Sequence, residues 1–180
     1  LNHRDLRQAL RQEKLDLLLV NPSLYEIVRN ENRLSGAIAT LQTNYSGQPT
    51  AQLGGVIFTL ATRQDIQSIT DLSKKTIATP SFNNAGAYRI PIYETQQLGI
   101  PSQQMKFLRV GQNDKVVEAV LNGQADAGFV RTGILENMID QGLLSPDQIT
   151  VLNARQFDHF PFMVSTPLYP EWPFVALTHV

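Results

Sequence analysis

The sequence predicts an α/β fold, a mostly parallel sheet with helices on its faces, arranged as two lobes. Three observations carry that expectation. Short apolar runs alternate with segments of helical spacing along most of the 180 residues. Between residues 71 and 132 three such runs each end in a cluster of small or polar residues, the pattern of strand ends where open α/β sheets bind ligands. A helix–turn–strand pattern also recurs. Leu6, Ala9, Leu10, Asp16 and Val20 superpose on Val116, Ala119, Val120, Asp126 and Val130 at a constant offset of 110 positions. A duplicated lobe would leave that echo, and so would a chance match between two βαβ units.

In chain order, residues 5–14 read as the end of a helix, and residues 15–20 as a strand covered on both faces, since only Asp16 interrupts the apolar run. Asn21-Pro22-Ser23 breaks it, and residues 24–30 form a short helix carrying Tyr25. Residues 37–43 read as a strand, 44–52 as a hairpin-like surface loop, 56–61 as a strand, and 63–71 as a turn or short helix. Strands follow at 76–79, 105–110, 125–130 and 149–152. Helices fall at 85–98, 114–122 and 133–141, the second closed by Gly123. A last strand at 162–165 precedes a Pro-rich tail through Tyr169, Trp172 and Phe174.

The loop at 81–86 leads into the helix that starts near Asn84 or Ala85. Unpaired backbone N–H groups at such a start favour an anion. Ser81, Asn83, Asn84 and Ala85 are therefore candidate ligand donors, although Ser and Asn also serve as ordinary helix caps. Arg131 follows a buried-type strand, where a charge needs a partner. An anionic ligand and a carboxylate such as Glu136 would serve equally. Thr132 follows it, and Asn113 and Asp114 stand at the next helix start, where Asp114 is the expected cap. Asn21 and Tyr25 are ligand contacts if they face a cleft; otherwise they are a turn and a core residue.

Composition removes several classes. A net charge of −1 with no basic cluster beyond Lys74-Lys75 speaks against nucleic acid. Cysteine is absent, which excludes thiol catalysis and cysteine-based zinc sites and fits an oxidising compartment. His3, His159 and His179 are scattered, and no apolar run reaches membrane-spanning length. No Walker loop, dinucleotide fingerprint or nucleophile elbow occurs, so neither a cofactor nor catalysis is expected.

Four stretches, in this order, carry a resemblance. They are Leu15-Asp16-Leu17-Leu18-Leu19-Val20-Asn21-Pro22 with Tyr25; Asp71-Leu72 with Lys75; Gly111, Asp114, Val116, Ala119, Val120 and Gly123 leading to Ala125-Asp126-Ala127-Gly128; and Ser165-Thr166 with Leu168-Tyr169-Pro170-Glu171-Trp172-Pro173-Phe174. Together they resemble the phosphate/phosphite/phosphonate-type periplasmic solute-binding family. Gly54-Gly55-Val56-Ile57-Phe58, Val130-Arg131-Thr132 and the Tyr169–Trp172 motif tilt the match toward sensing domains of bacterial sensor histidine kinases, including the tetrathionate type.

The resemblance implies a type II periplasmic-binding-protein fold. Lobe 1 would comprise residues 1–70 and 156–180 and lobe 2 residues 71–155, hinged at 62–71 and 153–160. Relatives carry a further strand–helix–strand ahead of the position of Leu1, so the first lobe is expected to be truncated. The implied function is an extracytoplasmic receptor, tethered to the inner membrane, that binds a small anionic solute between its lobes. Its partner would be a kinase region or, alternatively, an ABC permease. The family's Ser-Thr-Ser-Gly anion loop is Asn83-Asn84-Ala85-Gly86 here. A customary His is Asn113, and a customary acidic residue is Gly133. These departures keep a backbone anion cradle and remove the basis for phosphonate specificity. The same fold class also hosts enzymes, but the segments at the site hold no nucleophile or acid–base pair. A ligand-free interaction module is the third class, favoured if the shortened first lobe forms no cleft.

Overall fold

The computed structural model describes residues 3–31, 34 and 36–177, which divide into two compact units, residues 1–52 with 170–180 and residues 53–169. In the first, α1 (His3–Arg11) leads to β1 (Leu17–Leu19), α2 (Pro22–Glu31) and β2 (Ala39–Thr40), then a hairpin of β3 (Thr43–Tyr45) and β4 (Gln48–Thr50). Ser46 and Gly47 turn that hairpin, both at positive φ (50° and 81°), as a tight strand reversal requires. The chain leaves the unit through β5 (Gln52–Leu53) and returns through β11 (Tyr169–Pro170), which pairs with β5.

The sheet of the first unit runs β1, β12 (Pro173–Ala176), β2, antiparallel throughout. The expected tail is therefore a central strand. Pro173 is tolerated because it opens the strand, and Val175 is fully buried. Leu6, Leu10, Leu18, Leu24, Val28 and Val175 form one core. Leu17 and Leu19, 50% and 47% exposed, point to the other face. The expectation of a strand covered on both faces fails for this reason: α1 and α2 supply apolar side chains to one face only.

The second unit is built on β10 (Ile149–Val151), β6 (Gly55–Leu60), β9 (Ala127–Arg131), β7 (Thr76–Thr79) and β8 (Lys106–Arg109), in that spatial order. β7 is parallel to β8 and β9, whereas β6 runs antiparallel to β9 and β10. The sheet is mixed rather than mostly parallel. Because β6 lies inside it, the chain passes between units at 52/53 and 169/170, not at the 62–71 and 153–160 hinges read from the sequence. Period-two alternation splits the core. Val56, Phe58, Ala78 and Val130 face α4 (Asn113–Leu121) and α5 (Ile134–Asp140), while Ile57, Ile77 and Phe129 pack with Ile92 of α3 (Ile90–Gln97). Residues 162–165 form no strand beyond one bridge between Val164 and Arg155. Ser165 bonds Gly55 and Ile57 instead, through its backbone N–H and its hydroxyl.

The echo at offset 110 recurs in the positions of the elements along the chain. α1 and α4 begin at residues 3 and 113, β1 and β9 at 17 and 127. The equivalent turn residues Glu13 and Gly123 both take positive φ, 50° and 68°. At the amino edge of the second sheet Asp126 accepts Thr76 N–H and Arg63, and Arg63 also forks onto Asp65, which Lys75 joins. Arg63 and Lys75 hold the Asp65 carboxyl well below its usual range. For Asp126, burial pushes upward, and the Thr76 N–H and Arg63 outweigh it.

Candidate functional site

The carboxyl ends of β7, β8 and β9 meet along one edge of the second unit. β7 runs into the loop at 81–84, and the helix begins with a π turn (Ala85–Arg89) before α3. Pro91 explains that irregular start. It has no N–H to give the Ala87 carbonyl, its partner in an α-helix. The buried Thr79 hydroxyl takes that carbonyl at 2.8 Å, and Ile90 N–H bonds Ala85 one residue further back. π turns of this kind recur at functional sites.

Asn84 caps the helix, its Oδ1 accepting Ala87 N–H at 2.9 Å, and Ser81 Oγ accepts Asn83 N–H at 3.3 Å. The loop side chains thus perform the structural duty that the sequence left open against ligand binding. What remains for an anion is the backbone start at Ala85 and Gly86, which an α-helix leaves without intrahelical acceptors. Ala85 is buried, Asn84 half-buried and Asn83 exposed. Phe82 meets Tyr88 at a tilt and Phe107 edge to face, with centroids at 4.9 and 6.1 Å, and so anchors the loop.

Three glycines bring this start onto the sheet. A Cβ on Gly86 would stand 2.8 Å from Arg131 Cβ and 3.0 Å from the Gly54 carbonyl oxygen, and one on Gly55 2.7 Å from the Gly86 carbonyl oxygen. Helix start and Arg131 are in direct contact as a result. Arg131 is half-buried, and its N–H donates to Asn113 Oδ1 at 3.4 Å. Gln112, not Asp114, holds the capping position of α4, so Asn113 and Asp114 are its first residues. Thr132 is 3% exposed, and its hydroxyl accepts Gly54 N–H, which makes it a tie between β9 and β6 rather than an open donor. Ser81, Asn83, Asn84, Ala85, Asn113, Arg131 and Thr132 therefore share one sheet edge. A groove of about 500 Å³ between the start of α4 and α5 reaches this set at Asn113.

Asn21 and Tyr25 belong to the first unit. Asn21 Oδ1 accepts Leu24 N–H at 2.9 Å and starts α2, and Tyr25 packs against the core with Arg29 5.8 Å over its ring. Sequence reasoning missed Thr79 and Glu94, and it named Glu136 only as a possible partner of Arg131. Glu136 Oε1 accepts Met163 N–H. Burial pushes its carboxyl above the ordinary range, opposed by the backbone N–H groups of Glu136, Met163 and Gly133. A raised acid stabilises below its unfolded pKa, and that stability is lost as pH rises through the folded value. Glu136→Gln is accordingly expected to remove a fall in melting temperature that the native chain shows as pH rises from about 4.5. Identical profiles for the two chains would contradict this.

Among the described residues no three His, Asp or Glu side chains gather into a metal site, and no helix is long and apolar enough to cross a membrane. His179 lies outside the described residues.

A fold in which the ends of parallel strands surround a helix start is one that holds small solutes. Residues 2–180 match the family described as the phosphonate ABC transporter periplasmic substrate-binding protein, and the chain belongs to that family. It is 26% identical over 179 residues to the tetrathionate sensor histidine kinase TtrS of Salmonella typhimurium, covering 97% of this chain and 30% of TtrS. Among solved structures, a Xanthomonas citri protein bound to ATP gives a TM-score of 0.68 at 17% identity, covering 97% of this chain and 62% of that one. PhnD1 of Prochlorococcus marinus in complex with methylphosphonate gives 0.65 at 17% identity, covering 98% and 62%. The chain thus spans under a third of TtrS and about three fifths of those structures. This is a periplasmic solute-binding family, not an enzyme family, and its fold is the two-lobed one expected.

Proposed function

We propose that this chain is the solute-binding part of a membrane-tethered sensor, which takes a small oxyanion and passes the signal to a histidine kinase region. The contact between Gly86 and Arg131 carries the reading, because it sets a helix start against the Cα and Cβ of an arginine at the carboxyl edge of a sheet, within reach of that side chain's cation. The ligand's oxygens would be held by the N–H groups of Ala85 and Gly86, by Arg131, and by the amide nitrogens of Asn84 and Asn113. Ser81, Asn83 and Thr132 shape the loop and strand end around them. The higher identity to a sensor kinase than to the phosphonate-binding structures supports the sensor. A transporter's substrate-binding component, delivering to an ABC permease, is the second reading, favoured by the family description.

Calorimetry with tetrathionate, methylphosphonate, phosphate and sulfate tests the site. An Arg forks onto an oxyanion in a way Lys does not reproduce. Arg131→Lys is expected to weaken the best-bound anion about tenfold, or roughly 1.4 kcal/mol, and Asn84→Asp at least as much by repulsion. The melting temperature without ligand should hardly move, since Asp caps a helix as well as Asn. Unchanged affinity in both variants would remove this edge from the site.

A further inference from the structure

Two carboxylates that the anion site does not use are more than nine-tenths buried, Glu94 on α3 and Glu136 on α5, and they grip one loop from opposite faces of the sheet. Glu94 receives Asn153 Nδ2 at 3.0 Å and the Arg155 guanidinium at the loop's first foot. Arg155 N–H closes the loop on the Val164 carbonyl at 2.8 Å. Glu136 receives the Met163 N–H at the second foot. Between them Phe160 and Phe162 meet edge to face, centroids 5.6 Å apart. The Phe162 ring lies 3.4 Å from the place of a Cβ on Gly133, the left-handed residue (φ 88°) that starts α5 two positions after Arg131.

We infer that Glu136 is a positioning residue for the anion site. By holding Met163 N–H it keeps Phe162 on Gly133, and so holds the turn at 131–133 that aims Arg131; this rests on Arg131 being a ligand contact. A Glu at the third helical position ordinarily reaches back to the capping residue of its own helix. Here that residue is Gly133, whose backbone N–H also acts on the carboxyl, and Oε1 reaches beyond its own helix to the loop at Met163. Its Oε2 is buried without a hydrogen-bond partner among the described residues. Burying such an oxygen is unfavourable, and a leucine would fill the same space without that cost. The Met163 N–H is what a leucine could not hold.

The test compares Glu136→Gln, which keeps an acceptor oxygen, with Glu136→Leu, which does not. The readouts are calorimetry against tetrathionate, methylphosphonate, phosphate and sulfate, the unliganded melting temperature, and hydrogen exchange of residues 156–163. Glu136→Gln should bind within about twofold of the native chain, and Glu136→Leu about tenfold more weakly, with about tenfold faster exchange in the loop. If Glu136→Leu does not fold, Phe162→Ala replaces it. That variant leaves the Met163 bond and removes the contact on Gly133, so the same loss of affinity is expected. Faster loop exchange with native affinity, or native affinity in Phe162→Ala, overturns the positioning role and leaves the Arg131 reading intact. A native chain that binds none of the four anions overturns the site itself, and this inference with it.

Discussion

Gly55→Ala is expected to destabilise the second unit by about 3 kcal/mol, the upper part of the range for overpacking a tight contact. The added Cβ would stand 2.5 Å from Pro91 Cγ, 2.8 Å from Pro91 Cδ and 2.7 Å from the Gly86 carbonyl oxygen. None of these can swing aside. Pro91 is a buried ring within α3, and Gly86 is backbone in the π turn. The methyl group can be admitted only if the helix start lifts away from β6. That movement would also separate Gly86 from Arg131, so any folded fraction should bind anions poorly. Gly55 is not at positive φ, so strain in its own backbone is not the cause. Gly36→Ala is the control, because nothing lies within 4 Å of its added Cβ and it should change stability by less than about 0.5 kcal/mol. Urea unfolding of the two variants decides the matter. A Gly55→Ala midpoint equal to that of Gly36→Ala would show that the helix start yields freely.

Glu94→Ala should cost about 2–3 kcal/mol. Removing one partner of a buried ion pair ordinarily costs about 3–5 kcal/mol. The lower figure applies because the Arg155 side chain keeps 36% of its exposure and recovers hydration when the carboxylate is lost. The Asn153 amide also donates to the Ser165 carbonyl at 2.9 Å, and one of its two bonds survives. Glu94→Gln keeps an acceptor for Asn153 and loses the charge facing Arg155, so about 1 kcal/mol is expected. Thermal unfolding at neutral pH separates the two. Equal losses would show that the charge, not the acceptor, is what Glu94 contributes. Loss in neither would make the cluster incidental.

Much of the second unit was legible because its signals are local. The strands read at 76–79 and 125–130 became β7 and β9, the latter starting at Ala127, and Gly123 closed α4 at the expected place, since one residue's φ preference decides a helix end. The candidate loop was legible as a strand–loop–helix junction. Its side chains were misjudged at Asp114, where Gln112 holds the cap position. Thr132 reads as a donor in sequence and proves to be occupied by Gly54. Gly54 lies 78 positions from Thr132, and nothing in composition reveals such a pairing. Glu94 and Glu136 were invisible as clamps for the same reason: their partners stand 59 and 27 positions away.

The sequence by itself determined the alternation of strands and helices and the family, because periodicity and loop chemistry act over a few residues. Only the tertiary structure decided that Pro173 opens a central strand, that β6 runs antiparallel within the second sheet, and that Gly54, Gly55 and Gly86 bring the helix start onto Arg131. Those outcomes depend on which backbones approach within van der Waals distance across more than thirty positions. Steric fit between distant segments sets that approach, and it leaves no local pattern to read.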